Sequence, residues 1–143
     1  MRITISGPPG SGKTTVGNML SEKLSIKMVS MGLIFRETAE KMGLDVVQLN
    51  IRAETDKSID KMVDENLLRI ARENEDLILE SRLSAYMLHN NGIPAFKIYI
   101  TAKPETRTAR VGVRDGQTLE EAIQKTKERQ ASEALRYKMY YGI

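Results

Sequence analysis

The chain has 143 residues, enough for one domain around one core, with 22 Lys+Arg against 19 Asp+Glu and a net charge of +3. Hydrophobic residues make up 41% and charged residues 29%, and no apolar run approaches the ~20 residues of a membrane span, so a helical membrane protein is excluded. Cysteine is absent, which excludes disulfides and thiolate metal sites; together with an N-terminus that runs directly into a strand and holds no signal peptide, this fits a cytoplasmic protein.

Arg2-Ile3-Thr4-Ile5-Ser6 reads as a short strand. Gly7-Pro8-Pro9-Gly10-Ser11-Gly12-Lys13-Thr14 follows it and matches G-x-x-x-x-G-K-[ST]. Thr15 to Leu24 then carries apolar residues at Val16, Met19, Leu20 and Leu24, a helical period. Strand, glycine turn and helix are what a nucleotide's phosphates need. The glycines let backbone N–H groups turn inward around a phosphate chain, and the helix offers the same anion its unpaired N-terminal donors. Lys13 would reach the β- and γ-phosphates, and Thr14 would offer its hydroxyl to Mg²⁺. By chance alone the pattern arises in roughly one chain in two hundred of this length. It names a phosphate site and leaves the reaction open.

Ile26 to Val29 reads as a second strand, Ser30-Met31-Gly32 as punctuation, and Leu33 to Lys41 as a helix. Arg36, one turn into that helix, either pairs with Glu37 or Glu40 at the surface or faces a substrate phosphate from the carboxyl edge of the sheet. Leu44 to Glu54 is a short helix. Asp56 caps the next one, along which Ile59, Met62, Val63, Leu67, Ile70 and Ala71 form an amphipathic stripe. Asp56, Asp60 and Asp64 recur at four-residue steps. They read first as a cap and a solvated acidic face, and alternatively as a face that meets an amine or hydroxyl of a substrate.

Asp76 to Arg82 is the third strand with its exit, and three consecutive apolar residues suggest burial on both faces. It ends in Glu80 and Arg82. An acid there, beside a P-loop, is placed for a metal ion or its waters, and a simple Glu80–Arg82 pair is the plainer reading. Leu83 to Asn90 is a short helix whose His89 receives no role. Ala95 to Ile100 is the fourth strand, and Pro104 suits the first turn of a helix over Glu105 to Arg114. That helix sets Arg107, Arg110 and Arg114 on one face, with Gly112 and Gly116 flanking the last; it is either a solubilising face or a mobile arginine-bearing flap that closes over phosphates. Thr118 and Glu121 predict a capping box for the last helix. Arg129, Ser132, Glu133 and Arg136 share a face of it, where ion pairs of about 0–1 kcal/mol each are the plain reading. The helix is expected to break at Tyr140-Tyr141-Gly142.

Alternating helical and strand patterns argue for an α/β fold with a parallel sheet, in one domain over residues 1–143. The pieces together resemble a known family. Met1 to Thr15, Ser30-Met31-Gly32-Leu33-Ile34-Phe35-Arg36, Ile59-Asp60 to Asp64, Leu79-Glu80-Ser81-Arg82-Leu83, and Glu128-Arg129, Ser132-Glu133 and Arg136-Tyr137 are similar to the short, archaeal-type cytidylate kinases of the nucleoside monophosphate kinase superfamily.

The resemblance implies a three-layer α/β/α P-loop NTPase fold with sheet order 2-3-1-4, plus a fifth strand beside the fourth where the family's C-terminal part is present. It implies transfer of the ATP γ-phosphoryl group to CMP or dCMP, with ATP and Mg²⁺ as cofactors. It places Gly7, Pro8, Pro9, Gly10, Ser11, Gly12, Lys13, Thr14 and Thr15 on the ATP phosphates, Thr14 and Glu80 at the metal, and Arg36 and Arg82 on the acceptor's phosphate. Arg110 or its neighbours are the lid arginines, Arg129 and Arg136 lie near both phosphates, and Glu133 orients them or touches substrate. Asp64 joins the acceptor site. NMP-binding helices would span roughly 31–75 and a lid roughly 103–117. Leu33 and Ser81 depart from the family, which usually has a polar residue and a glycine there. The family's final strand, helix and adenine loop have no counterpart in these 143 residues, which predicts an uncovered sheet edge.

Two rival classes stay open. One is another small-molecule P-loop kinase of adenylate, shikimate or gluconate type. The other is a nucleotide-dependent, RNA-associated switch, suggested by a pI near 9.2. Only 5% aromatics and no aromatic interleaving of basic stretches argue against nucleic acid. A monomer is expected.

Overall fold

Leu77-Ile78-Leu79-Glu80 forms β3 (Leu77–Glu80), the strand that decides where the core lies, and it is buried at every position. In the computed structural model, which describes residues 1–142, it has a strand on each side and helices over both faces. β1 (Arg2–Ser6) lies along one side of it and β2 (Met28–Ser30) along the other. β4 (Phe96–Tyr99) completes the sheet against β1. All pairings are parallel, in the order β2-β3-β1-β4. Ser30 and Ile5 both stand opposite Glu80, and Ser6 stands opposite Tyr99, so the four carboxyl ends finish together.

Side chains alternate between the two sheet faces. Ile3, Ile5 and Ile78 point to one face, where Val16 and Leu20 of α1 (Lys13–Leu24) cover them. Leu77 and Leu79 point to the other and pack with Leu67 and Ala71 of α4 (Lys57–Glu73) and Met87 and Leu88 of α5 (Ser84–Asn90). A second apolar cluster stands off the sheet. It joins Phe35 and Ala39 of α2 (Met31–Lys41), Leu49 and Ala53 of α3 (Val46–Thr55), and Ile59. α6 (Pro104–Asp115) and α7 (Leu119–Tyr141) close the chain, packed on each other, and α7 runs along α3.

This is the expected three-layer fold and sheet order. Local differences have local causes. α2 begins at Met31, two residues early, because the Ser30 hydroxyl accepts the Leu33 N–H as an N-cap. The Thr118 hydroxyl caps α7 through the Glu121 N–H, one half of the anticipated box. α7 does not break at Tyr140 but continues to Tyr141 and stops at Gly142, whose φ of 72° suits a left-handed cap. β4 has one neighbour, with Phe96 and Tyr99 exposed at 67% and 72%. Among the described residues, no helix is long and apolar enough to cross a membrane.

Candidate functional site

The site grows from the carboxyl ends of the strands, where the turns after β1, β2 and β3 and the helix after β4 meet. Such a crevice is where open α/β sheets bind ligands. A cavity of about 240 Å³ opens there, bordered by the P-loop, α2, α4, the β3 exit, α6 and α7.

The P-loop is shaped by its backbone. Gly10 has φ 74°, and a Cβ there would stand 2.3 Å from the Arg107 carbonyl oxygen, so only glycine lets α6 rest on the loop. Gly12, also left-handed, precedes α1 with no side-chain cap, which leaves the first amide donors of that helix for a ligand. The buried Ser11 hydroxyl has no partner among the described residues. Pro9, Gly10, Gly12, Lys13, Thr14 and Thr15 border the cavity, whereas Gly7, Pro8 and Ser11 do not.

Lys13 is buried. Its ammonium donates to the Pro8 carbonyl at 3.0 Å and lies 3.9 Å from Glu80 Oε1. Burial lowers its pKa to about 8; Glu80 and Glu133 oppose that shift, while Arg82 and Arg129 add to it. The other Glu80 oxygen accepts from the hydroxyls of Thr14, at 3.3 Å, and Ser30. This carboxylate is therefore not paired with Arg82, as the plainer reading had it. Ser30, which the sequence offered only as punctuation, holds both Glu80 and the start of α2.

Arg82 instead reaches α7. Its Nη2 lies 2.6 Å from Glu133 Oε2, an ion contact outside hydrogen-bond angles, and Nη1 is buried without a hydrogen-bond partner among the described residues. Arg129 donates to Glu133 Oε1 at 3.0 Å. The expected surface pairs on α7 are thus corrected: Arg129–Glu133 is nearly buried, and Glu133 turns to Arg82 rather than Arg136. Arg36 pairs with neither Glu37 nor Glu40 and faces the cavity. Burial lowers its pKa, and the nearby Arg114 and Arg129 add to that. Arg36, Arg82, Arg114 and Arg129 all border this cavity; Glu133 meets Arg82 and Arg129, and Asp115 meets Arg114. Like charges gathered this way await an anion.

The three arginines of α6 do not act as one face. Arg107 donates to Ala102 O, Arg110 to Gly10 O at 3.1 Å, and Arg114 to Asp115. Gly112 is buried, and a Cβ there would stand 3.0 Å from the Ala122 Cβ of α7, a tight contact.

Arg136 is spent. It is 3% exposed, with Nε and Nη2 on Asp60 at 2.6 and 3.3 Å, and Nη1 on Asn50 Oδ1 at 2.7 Å and on Ser132. Asp60 is therefore no part of a solvated face, and this buried knot ties α7 to α3 and α4. Asp64, one turn on, is half-buried and takes the Tyr141 hydroxyl. Burial pushes its carboxyl up to about 6, with the Tyr141 hydrogen bond opposing and Asp60 adding. Of the three acids only Asp56 behaves as expected, capping α4 through the Ser58 N–H. Tyr137 and Tyr141 also border the cavity. Their spacing from Glu133, four and eight residues, is the signal that could have placed them on its face.

A family model described as "Cytidylate kinase-like family" matches residues 2–143. The cytidylate kinases of Sulfolobus acidocaldarius and Methanocorpusculum labreanum are each 43% identical over 143 residues, covering 100% of this chain and 78% and 79% of theirs. Among solved structures, shikimate kinase from Bacteroides thetaiotaomicron superimposes with TM-score 0.62 at 15% identity, over 94% of this chain and 82% of that one. At that identity the likeness shows the fold alone.

Proposed function

The chain belongs to the cytidylate kinase-like family, and from that membership we propose that it moves the γ-phosphoryl group of ATP onto CMP or dCMP, giving CDP or dCDP and ADP. One observation carries the reading to the residues: Arg36, Arg82 and Arg129 border the same cavity as the P-loop lysine. Phosphoryl transfer asks a protein chiefly to hold two phosphates in line and to offset the charge on the transferring group. An oxygen of the acceptor phosphate bonds to the γ-phosphorus as the bond to the β–γ bridging oxygen breaks, and ADP leaves. The acceptor oxygen already carries negative charge near neutral pH, so no general base is required.

Gly7 to Thr15 cradle the ATP phosphates. Lys13 gives up its contact with Pro8 to reach the β- and γ-oxygens. Arg36 and Arg82 take the acceptor phosphate, and Arg129 sits between the two phosphates with Glu133 fixing its angle. Asp64 belongs to the acceptor side. Arg136 serves by position, since all its donating groups are engaged by Asp60, Asn50 and Ser132. The α6 segment, roughly 103–117, acts as the lid through Arg110, and helices within roughly 31–75 hold the acceptor.

Mg²⁺ fits the donors present. The Thr14 hydroxyl and the Glu80 carboxylate are hard oxygen ligands already within 3.3 Å of each other. No cluster of three or more His, Cys, Asp or Glu among the described residues would form a full protein cage. Mg²⁺ usually takes one or two protein oxygens and completes its shell with phosphates and water. When bound, it would neutralise charge between the β- and γ-phosphates.

The test is coupled ADP release from ATP·Mg²⁺ with CMP, dCMP, UMP, AMP and shikimate as acceptors. Turnover with CMP and dCMP well above the rest is expected. Turnover greatest with AMP or shikimate would overturn the assignment.

A further inference from the structure

Helix α7 borders the cavity at four-residue steps through Arg129, Glu133, Tyr137 and Tyr141, with Arg136 beside them. The side chains change character along it. Arg129 and Glu133 form the charged end beside Arg82 and Lys13. Tyr137 and Tyr141 form an aromatic end, their ring centroids 6.2 Å apart, with Tyr86 a further 6.1 Å from Tyr141. From Glu133 to Tyr141 the helix rises about 12 Å, the scale of a nucleoside monophosphate from phosphate to base edge. Leu83, Val63 and Leu67 add apolar wall at the cavity.

At the aromatic end stands Asp64. Asp60, one turn earlier on α4, has its charge met by Arg136 at 2.6 Å. Asp64 has no cation within ion-pair distance among the described residues, and its one partner is the neutral Tyr141 hydroxyl. A half-buried carboxylate without a cation is costly. Burial raises its pKa to about 6, so it is still ionised at neutral pH. A cavity-facing acceptor held by one phenol suits a neutral ligand that brings N–H donors.

We infer that Asp64 and Tyr141 read the base edge of the acceptor nucleotide, the carboxylate accepting from a 4-amino group and the phenol donating to the adjacent ring nitrogen. In cytosine that edge presents N4–H₂ beside an N3 acceptor. In uracil both polarities reverse, so the carboxylate would meet O4 and the phenol would meet N3–H. The Tyr141 hydroxyl donates to the Asp64 carboxylate, and the base takes the phenol's place there. Buried polar groups left unpaired by the wrong substrate give the largest discrimination a site can reach.

The inference rests on the kinase reading above, and the experiment separates the two. It measures kcat/KM for CMP, dCMP and UMP with saturating ATP·Mg²⁺ in the wild-type chain, Asp64→Asn and Tyr141→Phe. In Asp64→Asn the CMP:UMP ratio should fall about 100-fold, through loss of CMP turnover together with retained or increased UMP turnover. The CMP:dCMP ratio should stay unchanged. Tyr141→Phe should lower the CMP:UMP ratio about tenfold, and it keeps the test open if Asp64→Asn proves unstable. Equal losses with CMP and UMP in both variants would overturn the inference and leave the pair as a strut between α4 and α7. Wild-type turnover absent with every nucleotide would overturn the kinase reading itself.

Discussion

The two ends of the cavity are built by different means. At the P-loop end the ligand-facing groups are mostly backbone, set by Gly10 and Gly12 and by the uncapped start of α1. The α4–α7 end is built from side chains 76 and 77 positions apart, Asp60 locked to Arg136 and Asp64 with Tyr141 beside the cavity. The first construction tolerates no change of shape but needs little from the rest of the fold. The second exists only once α7 has docked. Chemistry should therefore be vulnerable at one end, and stability and selectivity at the other.

Lys13→Ala draws the contrast most sharply. It should cut kcat by about 1,000-fold or more, some 4 kcal/mol of transition-state stabilisation, with the melting temperature almost unchanged. Single-turnover kinetics beside calorimetry checks both halves, and near-normal kcat would break the comparison. Asp60→Ala is the reverse case. It strands the Arg136 guanidinium in a site 3% exposed and should cost about 3–5 kcal/mol of folding stability, read from urea denaturation. Arg36→Ala lies between, raising the KM for CMP about 10- to 100-fold while that for ATP moves less than about threefold. Equal effects on the two substrates would detach Arg36 from the acceptor.

The smallest effect is one of pH. The Asp64 carboxyl, raised to about 6, is ionised above that value and protonated below it. The groups that act on it are Tyr141 from α7, through its hydrogen bond, and Asp60 on its own helix. The CMP:UMP ratio should thus fall severalfold between pH 8 and pH 5, and the phosphate of the substrate cancels because both nucleotides carry it. Asp64→Asn should flatten that profile. A raised carboxyl pKa also means stability is full below the ordinary value of 3.8 and declines as pH rises through about 6. Asp64→Asn should accordingly melt no lower than wild type at pH 8.

The same division explains what could be read from the sequence. The strands, the P-loop and the alternation of helix and strand follow from local period and from glycine spacing, and the sheet order came with the family resemblance. The α4–α7 seam did not. Asp60 and Asp64 sit at helical spacing on an amphipathic helix, and nothing nearby in sequence shows that Arg136 and Tyr141 will cover them. Tyr140-Tyr141-Gly142 looked like a helix break because the glycine is there. The glycine is instead the cap, and Tyr140 donates to the Ala53 carbonyl on α3 at 2.8 Å. Ser30 was missed for the opposite reason, since a serine before a helix has an ordinary local explanation that hides its second bond to Glu80.

That one 23-residue helix spans both ends has a practical meaning. An uninterrupted rod of this kind behaves as a lever, so a tilt of a few degrees at its tyrosine tip is felt as displacement at Arg129, some 18 Å along the axis. A laboratory search for altered nucleobase choice at the tip therefore disturbs Arg129 whenever the helix tilts. Its useful variants will be those that keep the lever's angle.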